Sequence, residues 1–431
     1  MQPPRKLHIR YLQRKSDNMA VLDTPHPRMG FKEFVALIAA LMATNALGID
    51  AMLPALQQIG ASLGVANPNE RQWIVTAYML GFGTATVVYG PLIDRFGRKP
   101  VLLWSLAGYV LFNLLIVAAK SFELVLMARA LQGVAAAASR VVSVSIVRDC
   151  YAGRMMARVM SLTFVVFLGV PILAPSLGQL VMLFASWRWI FVALAWFGLA
   201  VLIWVALRLP ETMHKEDRIP IAVSSVVRSF GLVCTNRLSL GYTLAMTAIF
   251  GSLIGFINSS EQVFTDVLKE PLLFSTVFAI IAGFIALASL VNARLVEKLG
   301  MRMLSHAALL GFIAIAMLHA AVAVLGYETI WTFAVLQSMM MFCFGLLIGN
   351  FGAIAMEPLG HVAGIAASAQ GFVSTVGGAL VGFLIGQSYN GTDVPLCLGF
   401  AACGVMTLLI VLVTESGKLF SQPAMLLKQP S

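Results

Sequence analysis

Gly90-Pro-Leu-Ile-Asp94-Arg95-Phe-Gly97-Arg98-Lys99 lies between two long apolar runs. A worn copy, Ala293-Arg294-Leu-Val-Glu297-Lys298-Leu-Gly300-Met-Arg302, begins 203 residues after Gly90. Both place an acid, a base and a glycine in the same order. A charged, glycine-bearing turn at matching points of two apolar halves marks an internally duplicated membrane chain.

Composition agrees. The chain is 59% hydrophobic and 11% charged, against ~25% charged in soluble domains, which excludes an ordinary soluble globular protein. Twelve apolar runs, near 34–58, 72–93, 101–119, 122–147, 157–183, 187–208, 239–264, 273–296, 303–325, 330–355, 363–388 and 394–414, are each long enough to cross a ~30 Å hydrocarbon core as a helix. The expected fold is therefore an all-α membrane protein of twelve transmembrane helices in two pseudo-symmetric six-helix bundles. A polar connection opening with Leu209-Pro210-Glu211-Thr212 separates the six-helix sets. The predicted organisation is a basic cytoplasmic tail (1–33), an N-terminal bundle (34–209), a cytoplasmic linker (210–238), a C-terminal bundle (239–414) and a cytoplasmic tail (415–431).

The net charge of +10 would suit a nucleic-acid binder until the charges are placed. Of 29 Lys and Arg, 23 fall in the tails and the even-to-odd connections. Only Arg71, Lys120, Arg188 and Lys269 fall in the opposite loops, and Arg129 and Arg140 lie within a helix. This asymmetry is the positive-inside pattern and puts both termini in the cytoplasm. The basicity reports topology, and no nucleic-acid partner is expected. Five scattered cysteines without CxxC or CxH spacing indicate neither a disulfide framework nor a metal site, and no cofactor is expected. Residues 1–33 lack the apolar stretch of a cleaved signal peptide. Arg5, Lys6, Arg10, Arg14 and Lys15 either touch anionic lipid or sit in a disordered tail, unless translation starts at Met19 or Met29.

Further segments fall into the same pattern: Gly48-Ile-Asp50-Ala-Met-Leu-Pro54 in the first helix and Arg129-Ala-Leu-Gln132-Gly133 in the fourth. Pro171-Ile-Leu-Ala-Pro175-Ser-Leu-Gly178 follows in the fifth, and Glu357-Pro358-Leu-Gly-His361-Val-Ala-Gly364 after the tenth. With Gly90–Lys99, this set resembles the major facilitator superfamily, and within it the bicyclomycin-resistance (Bcr/CflA) branch of drug/proton antiporters. The likeness runs from about residue 34 to near the end. It implies two homologous bundles around a central cavity, a proton-coupling role for Arg129, and an antiporter motif made of Gly169, Pro171, Pro175 and Gly178.

The residues have readings of their own. Asp50 lies some sixteen residues into the first helix, where a carboxylate costs ~2.5–3.5 kcal/mol by insertion measurements. A lone acid there must pair, face water or take up a proton, so Asp50 is the candidate proton carrier. The alternative is a structural acid held by helix-end hydrogen bonds near Pro54. Arg129, Gln132 and Gly133 share one helix face. The arginine keeps its charge, so it tunes Asp50 or holds a substrate acceptor, or else it hydrogen-bonds loop carbonyls. Arg140, three turns on, departs from the family pattern: a second cavity cation would favour an acidic or electron-rich substrate, whereas snorkelling to the membrane boundary explains it without one. Glu261, another departure, is a second proton site, a gate or a wetted interfacial acid. Gly90, Asp94, Arg95, Gly97 and Arg98, with Glu297 and Lys298 in the second copy, are expected to lock access states, although Arg98 also fits a plain topology signal. Prolines 171 and 175 kink the fifth helix, whose glycine face is expected to pack on the opposite bundle. Gly378, Gly382 and Gly386 read as helix packing, and most of the 22 methionines as filler.

Together these predict a bacterial inner-membrane exporter exchanging an inward proton for an outward small amphipathic molecule, with nothing requiring more than a monomer. The rivals are a transporter of one metabolite (nucleoside, sugar or siderophore) and a membrane-embedded enzyme or receptor. The chain has no HExxH, GxSxG or phosphate-cradling glycine loop, and the expectation is no enzyme.

Overall fold

The computed structural model describes residues 29–213, 216, 218 and 230–420. The basic cluster at residues 5–15, much of the expected linker and residues 421–431 lie outside the described residues, as do the side chains of 360–365, which include His361. Twelve helices are long and apolar enough to cross a membrane. We number them α1 (Phe31–Asp50), α2 (Trp73–Phe96), α3 (Arg98–Ala118), α4 (Phe122–Cys150), α5 (Gly153–Phe184) and α6 (Arg188–Arg208), then α7 (Arg237–Gln262), α8 (Phe274–Leu299), α9 (Met301–Val324), α10 (Ile330–Met356), α11 (Ala363–Gln387) and α12 (Val394–Thr414). There is no strand among the described residues.

The duplication is visible in the packing. In the first half α4 packs on α2 and α3, α3 on α6, and α1 on α5. Each of these contacts recurs six helices later: α10 on α8 and α9, α9 on α12, and α7 on α11. The halves meet along α2 against α11 and α5 against α8. Trp104, Leu111, Trp196, Leu207, Met317 and Leu409, on the peripheral helices α3, α6, α9 and α12, are exposed apolar side chains suited to lipid. Close approach is bought with small residues: a Cβ on Gly81 would overlap the Ala130 carbonyl, and one on Gly133 the Tyr78 carbonyl, so α2 and α4 touch backbone to backbone.

The first span differs from the continuous helix expected over 34–58. α1 ends at Asp50, and a short 3₁₀ turn (Leu53–Ala55) and a helix (Leu56–Ser62) complete the crossing. Pro54 explains the break: it has no N–H for the Asp50 carbonyl, and its ring crowds that carbonyl. α5, by contrast, runs unbroken through Pro171 and Pro175.

Candidate functional site

The break in α1 leaves its last carbonyls without helical donors, and Arg129 fills the gap. Its Nη1 donates to the Gly48 carbonyl (2.9 Å) and to Gln132 Oε1 (2.6 Å), and its Nε donates to the Ile74 carbonyl (3.1 Å). Helix-end carbonyls carry partial negative charge, so the guanidinium acts as a buried C-terminal cap. The chain of bonds continues from Gln132 Nε2 to Asn113 Oδ1 (2.8 Å) and from Asn113 Nδ2 to the Tyr109 carbonyl (2.8 Å). The guanidinium also lies 4.6 Å from the Tyr78 ring centroid, with that phenol donating to Asn45 Oδ1 (2.9 Å). Gly48 gives the two phenols room, since a Cβ there would come within 3.0 Å of the Tyr78 hydroxyl and 3.3 Å of that of Tyr109.

Two ionic groups at this junction have no counter-ion among the described residues. Arg129 is wholly buried, yet its Nη2 has no hydrogen-bond partner among the described residues. Asp50 is 4% exposed, and its carboxyl has neither hydrogen bond nor ion pair among the described residues. Asp50 is therefore not held by helix-end hydrogen bonds, and Arg129 touches its helix two residues away without pairing with it. A carboxyl so placed has no protein partner to offset its burial, which leaves water or a proton to do so.

One end of the molecule is sealed by side chains that cross between the halves. Arg71 is buried and donates through Nη1 to Glu261 Oε2 (3.4 Å), with Asp266 at 3.7 Å. Gln72 donates to Gln262 Oε1 (2.6 Å) and to the Gly386 carbonyl (2.9 Å). Asn69 donates to the carbonyls of Gln387 (3.1 Å) and Tyr389 (2.9 Å), and Gln387 Nε2 donates back to the Asn69 carbonyl (2.8 Å). Glu261 also borders an external cleft of about 210 Å³ shared with Pro54, Gln57, Gln58 and Gln179.

The other end carries two charge clusters that mirror each other. Arg98, buried at the start of α3, donates to Asp149 Oδ2 (2.9 Å) and Asp94 Oδ1 (3.1 Å). Glu211 accepts from the backbone N–H of Arg98 (2.9 Å) and Lys99 (3.2 Å), capping α3 with a carboxylate as the helix dipole favours. In the second half Arg302 pairs with Glu357 (2.9 Å) and Glu415 (2.9 Å). Each cluster joins an arginine after the glycine turn to acids at the ends of the fourth and sixth helices of its own half. Among the described residues no hydrogen bond or ion pair crosses between the halves at this end.

Residues 36–382 match the sequence profile of the Major Facilitator Superfamily. The chain belongs to this superfamily. It is a multi-pass membrane transporter. The Bicyclomycin resistance protein homolog of Haemophilus influenzae is 29% identical over 392 residues, 90% of this chain and 98% of that one. Multidrug resistance protein MdtL of Escherichia coli is 28% identical over 391 residues, 89% and 96% of the two chains. Among solved structures, the peptide transporter POT aligns with a TM-score of 0.72 at 12% identity, covering 90% of this chain and 96% of its own. The xylose transporter XylE aligns with 0.68 at 11% identity, covering 91% and 99%. At such identities the likeness is one of fold.

In this major facilitator several expected site residues sit elsewhere than the sequence suggested. Arg98 is the centre of its cluster, not a solvated topology signal, and its partners Asp149 and Glu211 escaped the sequence reading. Arg95 is exposed, with no ion pair among the described residues, and a Cβ on Gly90 would meet nothing within 4 Å. Gly97 is required: its φ is 98°, and a Cβ would strike the Glu211 carboxylate. Glu297 and Lys298 are exposed and outside the second cluster, whose arginine is Arg302, one position later than strict repetition of Gly97-Arg98 predicts. The glycine face of α5 also differs from expectation. Gly178 packs on the Ala51 carbonyl at the α1 break, within its own half, while a Cβ on Gly169 would meet open space. Across the halves α5 offers Gln179, donating to the Leu272 carbonyl (3.4 Å).

Arg140 lies beside the middle of α2: its guanidinium is 6.0 Å from the ring centroid of Phe82, which stands halfway along the span Pro68–Phe96.

Proposed function

We propose that this chain is a proton-coupled exporter of small amphipathic compounds, drugs among them, working by alternating access in a bacterial inner membrane with both termini cytoplasmic. The observation that carries the reading is Asp50: a buried carboxyl without a partner, at the helix break that Arg129 caps, which gives antiport a group able to load and release a proton inside the barrier. The named functions of the relatives, bicyclomycin and multidrug resistance, support export of such compounds.

In the proposed cycle the state described here is closed at its outer end by Arg71, Glu261 and the amide side chains around them. Substrate enters from the cytoplasmic end and Asp50 gives up its proton. The halves then rock, the outer seal parts, and substrate leaves as a proton returns to Asp50. Arg129 holds the break in register and sets how tightly Asp50 keeps its proton. Gln132 orients Arg129. The clusters around Arg98 and Arg302 brace each half and bias the access equilibrium, and one chain suffices as the working unit. A second proton site at Glu261 is favoured by its position on the external cleft, open to protons while the seal is closed.

The test uses everted membrane vesicles with a respiration-driven acid interior, lumenal pH followed by dye. Chloramphenicol, bicyclomycin, ethidium and a fluoroquinolone are added to vesicles carrying the wild type or Asp50→Asn. Alkalinisation in the wild type that disappears in the variant supports antiport through Asp50. Survival in the variant moves the proton to Glu261, and silence of the whole panel favours a transporter of one metabolite.

A further inference from the structure

Arg140 is a charge without a counter-ion. It is exposed, and no hydrogen bond or ion pair reaches it among the described residues. Its direction follows from the turn of α4. Arg129 and Gly133 precede it by three and two turns on the same face, the one that packs on α1 and α2. Met127 and Leu131, exposed apolar residues suited to lipid, lie on the opposite face. Arg140 and Val144 are nevertheless exposed on the inner face, toward the end where no polar contact joins the halves. The neighbouring residue of Phe82, Gly83, contacts Thr375 and Val376 of α11 across the interface. The exposed guanidinium therefore borders the cleft between the halves.

Among the described residues no acid serves it. More than three residues from either end of a described membrane span, the acidic side chains are Asp50 and Glu261, and Glu261 is committed to Arg71 at the sealed end. Asp50 lies at the level of Arg129, about 16 Å along α4 from Arg140. The Phe82 ring centroid lies 6.0 Å from the guanidinium, and its N–H donors meet no acceptor among the described residues, which leaves the planar fork free for an anion. An arginine cannot shed its proton, so a group bound in the cleft must compensate it.

We propose that Arg140 is the anion-binding subsite of the translocation cleft, and that the transporter's preferred substrates are amphipathic organic anions, held by a carboxylate or sulfonate on the guanidinium fork. This rests on the exporter reading above and narrows its substrate class. Recognition is bidentate and charge-assisted, so a neutral molecule of the same shape loses it.

The test uses the same vesicles, with vesicles lacking the protein as blank, and four probes. Naphthalene-1-sulfonate is a fixed anion, naphthalene-1-sulfonamide has the same ring without the charge, chloramphenicol is neutral, and ethidium is a cation. Lumenal alkalinisation by the sulfonate is expected to be half-maximal at a concentration about tenfold or more below that of the sulfonamide. Arg140→Gln should raise the sulfonate value by about the same factor while leaving chloramphenicol within about twofold, and Arg140→Lys should recover part of the loss. Equal responses to sulfonate and sulfonamide, or a variant that weakens every probe alike, would overturn the proposal. Response to chloramphenicol or ethidium without the sulfonate leaves the exporter standing and removes the anion site. Silence of all four probes in the wild type sinks both.

Discussion

Arg129 is a cation held by carbonyl dipoles and amides in place of an acid. That arrangement is tolerable because the helix break supplies unpaired carbonyls just where the guanidinium lies. Arg129→Met would leave the Gly48 carbonyl and Gln132 Oε1 without their donor in the interior. A loss of about 2–4 kcal/mol is expected, seen as earlier thermal unfolding in detergent along with loss of transport. Asp50→Asn should differ, abolishing proton release with the melting temperature held or raised, because it deletes an uncompensated charge and keeps the shape. A third residue reports pH. Asp393, outside the spans at the start of α12, is 4% exposed, and burial first, then the charge of Glu328, push its carboxyl above the usual range. The folded state thus binds this proton more tightly than the unfolded chain does. Its stabilising contribution is present at low pH and lost as pH rises through the folded value. Asp393→Asn should raise the melting temperature at neutral pH by a degree or two and lose that advantage in acid.

Among elements, the α1 break organises the first half. Pro54 creates it, Arg129 caps it, and Gly178 of α5 lies against its Ala51 carbonyl. Gly178→Ala would push α5 from the break without touching any charge. The expected result is a cost of about 1–3 kcal/mol with faster passive proton leak in vesicles. Gly169→Ala, with open space around its Cβ, is the matched control and should leave both measurements unchanged. The span positions were legible because twenty apolar residues have one stable form in lipid. The break was not read, although Pro54 was in plain view, because a proline within an apolar run either kinks or ends a helix, and the neighbours that cap the loose carbonyls decide which.

For the whole molecule, the inter-half bonds gather at one end and the intra-half charge clusters at the other. Glu261→Gln removes the charge that holds Arg71 and should shift the population toward the outward-open form. In a background without the five native cysteines, Thr76→Cys, buried at the seal, then reports the seal. Its labelling by an impermeant maleimide from outside should quicken by about tenfold, the effect of ~1.4 kcal/mol on the access equilibrium. Unchanged labelling would remove the gate role from this pair. Exchange of an inward proton for an outward monoanion also moves two charges, each worth ~2.3 kcal/mol per 100 mV. Anion export should therefore steepen with membrane potential set by potassium and valinomycin, while export of a neutral probe should depend on it half as strongly.

The amino-acid sequence by itself determined the twelve spans, the duplication and the superfamily, since each follows from local composition or from motifs that keep their spacing along the chain. It also singled out Asp50, Arg129, Arg140 and Glu261, because a charge inside an apolar run is conspicuous without any structure. Only the tertiary structure decided what those charges meet. Arg71 and Glu261 are 190 residues apart, Arg98 and Glu211 113 apart, and Arg302 and Glu415 also 113 apart. Such pairs come together through the packing of helices from distant parts of the chain, and an acid or base at a helix end looks like an ordinary loop charge until then. The same holds for the charges left without partners: that Asp50 and Arg140 stand alone is a property of everything packed around them.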